Sequence, residues 1–217
     1  MDQNQIEGNS AVLAVCGRKK NDKNPVVFYP DRMTFNGETI LYSDVEVINI
    51  YASSMEYNFI FENYSGFIRI KLRDGRKLKW KVGGNALFGI GKVKVKKEYF
   101  AAMYEACLAT FVKTRAASYL NDIRLGGTVT IAHLSINAHE ITGKSGLKTI
   151  TLPFSELGGA ELSGGFVRIN RIGKHLAAFN TSTTNQDNAI CLLFIVNSLV
   201  AGNAKEAAAA PAETPAE

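Results

Sequence analysis

The chemistry this chain can offer is concentrated in its cations. Between Arg69 and Lys97, eleven of 29 residues are Lys or Arg and only Asp74 opposes them, a local charge of +10 in a chain whose total is +5. Such a run can attract phosphates or carboxylates, but it makes and breaks no bonds. Residues for covalent chemistry are scarce. His133, His139 and His175 have no Glu-x-x-His or cysteine neighbours, and neither a Gly-x-Ser-x-Gly nor a paired-carboxylate arrangement stands out. His133 and His175 fall in expected strands and read as structural or surface histidines. Cys16, Cys107 and Cys191 are odd in number and far apart, without a Cys-x-x-Cys. That spacing indicates neither a disulfide framework nor a zinc site and fits reduced cytosolic thiols. The stretch GGNALFGIGK at 83–92 has Ala86 where a phosphate loop needs its first glycine, and Val93 where it needs Ser or Thr. The expectation is a binding protein rather than an enzyme, with no catalytic residue, cofactor or metal.

The cations sit on a pattern that must be a hairpin. In GFIRIKLRDGRKLKWKV, residues 66–82, the apolar positions Ile68, Ile70, Leu72, Leu78, Trp80 and Val82 are all even, and basic residues fill the positions between them. Keeping the apolar set on one face requires facing residues to sum to an even number, which a two-residue Asp-Gly turn would violate. A three-residue loop, Arg73-Asp74-Gly75 with Gly75 left-handed, satisfies it. Ile70 then faces Leu78, Lys71 faces Lys77 and Arg69 faces Lys79. These like-charge pairs each cost a few tenths of a kcal/mol, roughly, which an indifferent solvated face would have no reason to keep.

The passage recurs as GFVRINRIGKHLAAFN at 165–180, about a hundred residues on. Phe154-Ser155-Glu156-Leu157 also answers Tyr42-Ser43-Asp44-Val45 at an offset of 112, whereas Gly165 answers Gly66 at 99. The chain is therefore read as a duplication whose first copy carries 13 extra residues in the region of 52–64. In the second copy the odd residues Val167 and Ile169 and the even residues Leu176 and Ala178 predict a two-residue loop at Ile172-Gly173. Its basic-face equivalents would be Asn170, Ala177 and Phe179, so the fold does not need the charge.

Short β-rich runs at 11–16, 26–28, 33–35, 40–42, 45–51 and 57–61 precede the first hairpin, broken by turn residues. The glycine-rich stretch 83–91 reads as a loop, and 92–96 alternates Lys and Val again. Phe100, Met103, Tyr104, Cys107, Leu108 and Phe111 then follow helical spacing, and that helix should stop at Gly126-Gly127. The second copy continues with strands at 129–133, 134–136, 150–152 and 157–162 and the repeated hairpin. A helix at 189–201, capped by Asp187 or Asn188 and closed by Gly202, ends it. The Ala/Pro/Glu tail 203–217 is expected to lack packed structure. No basic-then-apolar leader is visible, and the longest apolar run, 189–196, is far short of the ~20 residues of a membrane span.

The corner Ile-Leu-Tyr-Ser-Asp-Val at 40–45, repeated as Thr-Leu-Pro-Phe-Ser-Glu-Leu at 151–157, resembles the I-P-aromatic-S-[D/E]-I corner of bacterial pleckstrin-homology-like (PH-like) domains. The resemblance covers roughly residues 11–202. It implies a mainly β (α+β) fold of two tandem PH-like units, each made of short antiparallel strands closed by a C-terminal helix. The units would be 11–123 and 124–202, between a polar leader at 1–10 and the tail at 203–217. In lipid-binding members a cationic loop between the first two strands grips phosphorylated head groups through a Lys and a spaced Lys/Arg-x-Arg. The corresponding loop here holds Arg18, Lys19, Lys20 and Lys23, without the spaced arginine, and the second unit has no such loop.

The expected site is therefore an anion- or lipid-binding face of Arg69, Lys71, Lys77, Lys79, Lys81, Lys92 and Lys94, assisted by the loop of Arg18, Lys19, Lys20 and Lys23. Leu87 and Phe88 would either form an apolar tip in a cationic collar or fold back and close the barrel. The partner would be an anionic membrane surface, placing the protein in the cytoplasm or at the inner face of the membrane, or else an acidic protein, with the chain as a scaffold. Nucleic acid fits less well, because the hairpin parity leaves no stacking platform on the cationic face.

Overall fold

The structure is a computed structural model that describes residues 11–17, 22–57, 61–87 and 93–209. It divides into two compact units, Met1–Arg115 and Ala116–Glu217. The sequence reading drew the boundary at 123/124; the division falls inside a helix instead.

Unit 1 opens with strands β1 (Ala14–Cys16), β2 (Val26–Phe28), β3 (Arg32–Phe35) and β4 (Glu38–Leu41), an antiparallel meander in that order. A single 3-10 turn, Tyr42–Asp44, leads into β5 (Val45–Tyr57), β6 (Phe61–Leu72) and β7 (Lys77–Leu87), a second antiparallel meander. The corner is held by Tyr42, whose hydroxyl donates to the Tyr29 carbonyl at 2.6 Å and whose ring meets Phe111 edge-on at 4.5 Å. Helix α1 (Val93–Cys107) follows, widens into a π-helical turn at Leu108–Val112 and continues as α2 (Lys113–Arg124). Phe100, Met103, Cys107 and Phe111 are buried, the stripe their spacing predicts. Gly126, at φ +84°, ends the helix as expected.

Two expectations fail in unit 1, and a third, the strand at 57–61, lies largely outside the described residues, with Tyr57 ending β5 and Phe61 opening β6. Strand β7 runs through Gly83 and Gly84 to Leu87, where a glycine-rich loop was expected, because β6 extends far enough to pair with it. Residues 93–96 are helical rather than extended. Five alternating residues are too short a signal to compete with a helical stripe in which Val93 stands two turns before Phe100.

Unit 2 repeats the element order. Strands β8 (Val129–Ile131), β9 (Leu134–Ile136), β10 (Glu140–Ser145) and β11 (Lys148–Pro153) form one meander. A 3-10 turn at Phe154–Glu156 leads to β12 (Leu157–Ser163), β13 (Phe166–Arg171) and β14 (Ala177–Ser182), and helix α3 (Cys191–Ala209) comes last. Details recur as well. The pairing is bulged between Val45 and Val47 in β5 and between Leu157 and Gly159 in β12, both 112 residues apart. Asp44 accepts from the Arg73 amide and Glu156 from the Ile172 amide, each at 2.9 Å. The two-residue turn Gly164-Gly165 replaces everything between Tyr51 and Phe67, which accounts for the 13 residues read from the two offsets.

Strand β10 was missed because only Ile141 in it is a buried apolar residue. A Cβ at its Gly143 would collide with the buried Leu134 side chain, so the glycine lets the strands pack closely there. The second hairpin is corrected too. Ile169 faces Phe179 and Val167 faces Thr181, so Phe179 is buried and Leu176 is 84% exposed. A register shift after Ile169 absorbs the parity change assigned to a two-residue loop. Nor do the histidines lie in strands: His133 occupies the β8–β9 turn, its Nδ1 2.9 Å from Gln186 Nε2, and His175 is exposed in the β13–β14 loop. Helix α3 starts later than 189 and passes through Gly202 to Ala209, because 203–209 is rich in alanine and other good helix formers, which outweigh one glycine. Its Asn197 side chain reaches the β12 backbone, accepting from the Ala160 amide at 2.8 Å and donating to the Ala160 carbonyl at 3.0 Å. That covers an edge strand where pairing would otherwise be open.

Candidate cationic face

Hairpin β6–β7 has the register that parity required. Ile70 faces Leu78, Ile68 faces Trp80, Lys71 faces Lys77 and Arg69 faces Lys79. The loop is Arg73-Asp74-Gly75, closed by Leu72 N–H donating to the Arg76 carbonyl at 2.9 Å, with Gly75 at φ +88°. Ile68, Ile70 and Leu72 are buried, Trp80 is 8% exposed, and the residues between them turn outward. One face of one sheet therefore presents Arg69, Lys71, Lys77, Lys79 and Lys81.

The charges on that face differ in their surroundings. Lys71 Nζ lies 2.6 Å from Glu46 Oε2, and this hydrogen-bonded pairing holds the Glu46 carboxyl below the ordinary glutamate range. Arg76, beyond the strand end, binds Asp74 at 2.7 Å and Glu38 at 3.0 Å, which keeps this guanidinium out of the exposed field, and its backbone N–H and then its side chain hold the Asp74 carboxyl below the ordinary aspartate range. Lys77, Lys79 and Lys81 have no ion-pair partner among the described residues. They form the open cationic strip.

The face is not purely cationic. Tyr51 and Phe67 lie on it as cross-strand neighbours, half-buried, with ring centroids 5.8 Å apart, and the Arg69 guanidinium sits 5.6 Å from the Phe67 centroid. This corrects the expectation that parity leaves no stacking platform on the cationic face. Parity was applied to the even residues of the hairpin, whereas Phe67 is odd and Tyr51 comes from the third strand.

The remaining expected residues are dispersed. Lys23 is exposed in the bend before β2, and its neighbour Asn24 lines a cavity with Lys79 and Lys81, so this end of the loop abuts β7. Arg18, Lys19, Lys20, Phe88 and Lys92 lie outside the described residues. Leu87 ends β7, and Lys94 stands in the first turn of α1 rather than in a strand continuing the face.

Among the described residues no group of three or more His, Cys, Asp or Glu could hold a metal. Burial pushes the Cys16 thiol up to about 11 and raises Cys107 further, so both stay protonated and inert at neutral pH. No helix among the described residues is long and apolar enough to cross a membrane. Unit 2 offers no equivalent strip: the residues beside Val167 and Ile169 on the outward side are Arg168 and Asn170, and Arg171 lies 3.1 Å from Glu156, without hydrogen-bond geometry. Compared with protein-family models the chain gives no match, and compared with curated proteins it gives none either.

Proposed function

We propose that this chain is a non-enzymatic binding protein of two tandem PH-like units, in which the cationic sheet face of unit 1 engages an anionic membrane surface from the cytoplasmic side. The observation that carries the reading is the register of β6 and β7, which sets Lys77, Lys79 and Lys81 side by side on an exposed strand without carboxylate partners and faces Arg69 with Lys79. Repulsion between such neighbours is a cost that an approaching layer of anions would turn into attraction. The half-buried Tyr51–Phe67 pair suits an interface where an amphipathic ring meets head groups. The PH-like assignment is supported by the repeated order of four strands, a 3-10 turn, three strands and a helix, and by the bulge that recurs just after the turn.

The test is co-sedimentation with vesicles of zwitterionic lipid alone and with about a third anionic lipid. Each basic residue near an anionic leaflet contributes about 1 kcal/mol, so Arg69→Glu with Lys77→Glu should weaken binding by about thirtyfold or more at low salt. Raising salt should do the same to the wild type, since exposed charges are screened beyond about 8 Å at 0.15 M. Indifference to anionic vesicles at low salt would end the membrane reading and leave an acidic protein surface as the partner to pursue. Tighter binding to a single-stranded oligonucleotide than to vesicles would also overturn it.

A further inference from the structure

We propose that a cavity beside β7 in unit 1 is a binding site of its own, for a small amphiphile with one oxyanion head and an apolar body. The cavity holds about 410 Å³, within the range of clefts that take small ligands. Its apolar wall is Val26, Phe35, Trp80 and Tyr99, drawn from two strands of the first meander's core, the second meander and α1. Phe35 and Trp80 meet edge-on at 5.2 Å, a rigid aromatic corner. Lys79 and Lys81 also line the cavity, and neither has an ion-pair partner among the described residues.

Two further observations point to a ligand that accepts hydrogen bonds. Trp80 is 8% exposed, yet its Nε1 has no hydrogen-bond partner among the described residues. A buried donor left unmade costs the full desolvation of that group, so it is a place where an acceptor gains more than it would elsewhere. The second concerns the backbone. The hydrogen bond from Leu72 N–H to the Arg76 carbonyl fixes the alternation along the hairpin. Leu78, Trp80 and Val82 direct their peptide groups to β6, while Lys79, Lys81 and Gly83 direct theirs to the open edge, where no strand pairs with β7 among the described residues. Lys79, Lys81 and Gly83 also line the cavity, which is therefore bordered by the open backbone edge of β7. A carboxylate or phosphate satisfies such donors, and an apolar body fills the aromatic wall.

Trp80 is the only tryptophan in the chain, so its emission reports on the site directly. Full-length protein is titrated, without vesicles and below any micelle-forming concentration, with octyl phosphate and with phenyl phosphate. The expected result is a saturable shift in Trp80 emission with at least one of them, while octanol and inorganic phosphate at the same concentrations give none. Lys79→Ala with Lys81→Ala, both at exposed positions, should weaken binding by roughly tenfold or more while the circular dichroism spectrum is unchanged. Trp80→Phe, followed by calorimetry, should weaken it as well, because the ring is kept and the donor lost. Arg69→Glu with Lys77→Glu, which disables the proposed membrane face, should leave octyl phosphate binding within about twofold, since neither residue lines the cavity. The proposal is overturned if neither phosphate ester gives a saturable shift, if octanol binds as well as octyl phosphate, or if the Arg69/Lys77 variant loses as much affinity as the Lys79/Lys81 variant.

Discussion

At Phe179 and Leu176 the exposed and buried roles are the reverse of what hydrophobic spacing in the second hairpin suggests. Phe179 is 1% exposed and sits opposite Ile169, whereas Leu176 projects from the loop. Phe179→Ala should therefore cost about 3–5 kcal/mol, and Leu176→Ser should stay within about 0.5 kcal/mol of the wild type. Urea denaturation of the two variants checks this, and equal losses would restore the register read from parity alone. The same scale separates the cations. Lys71 and Arg76 are spent on Glu46, Asp74 and Glu38, whereas Lys77, Lys79 and Lys81 are available. A count of basic residues could not make that distinction, because Glu46 and Glu38 come from distant strands.

At the scale of elements, the close approach of α1 to β6 depends on a missing side chain. A Cβ on Gly66 would lie 2.7 Å from the Phe100 ring and 3.0 Å from the Tyr51 carbonyl oxygen. Gly66→Ala should destabilise the protein by roughly 1–3 kcal/mol through overpacking. Combining it with Phe100→Leu should cost less than the sum of the single changes, because the smaller side chain gives up the space the methyl group needs. Strict additivity in thermal or urea melts would mean that Gly66 is required for some other reason. This glycine precedes the phenylalanine of the repeated Gly-Phe-Ile-Arg-Ile segment, so its recurrence was visible in the sequence, but its reason, an aromatic ring from a helix some thirty residues later, was not.

For the molecule as a whole, the duplication makes its own prediction. Unit 2 joins β12 to β13 through Gly164 and Gly165, at φ +58° and +80°, whereas unit 1 extends β5 and β6 well beyond the matching point. Deleting residues 53–65 and changing Ala52 to Gly would give unit 1 the turn of unit 2. The shortened chain should fold cooperatively, with a circular dichroism spectrum that has lost only strand signal, since the bulge, the 3-10 turn and the buried pair Ile50–Ile68 all lie on the retained side. Loss of the cooperative melt would show that the long hairpin is part of the fold rather than an insertion into it.

What the sequence by itself determined was local and periodic. The first hairpin's register, its three-residue loop, the left-handed Gly75, the buried Trp80, the stripe of α1 and the 13-residue difference between copies all follow from side-chain alternation and from two offsets. Tertiary structure decided whatever depends on a distant partner or on competition between alternatives. Residues 93–96 are helix and not strand because a longer helical stripe continues from them. Strand β10 exists with one buried apolar residue because β9 and β11 flank it on both sides. The Tyr51–Phe67 pair on the cationic face and the aromatic cavity beside Lys79 and Lys81 bring together residues far apart in the chain. Periodicity tells which way a side chain points from its own strand, and only the folded chain tells what it meets there.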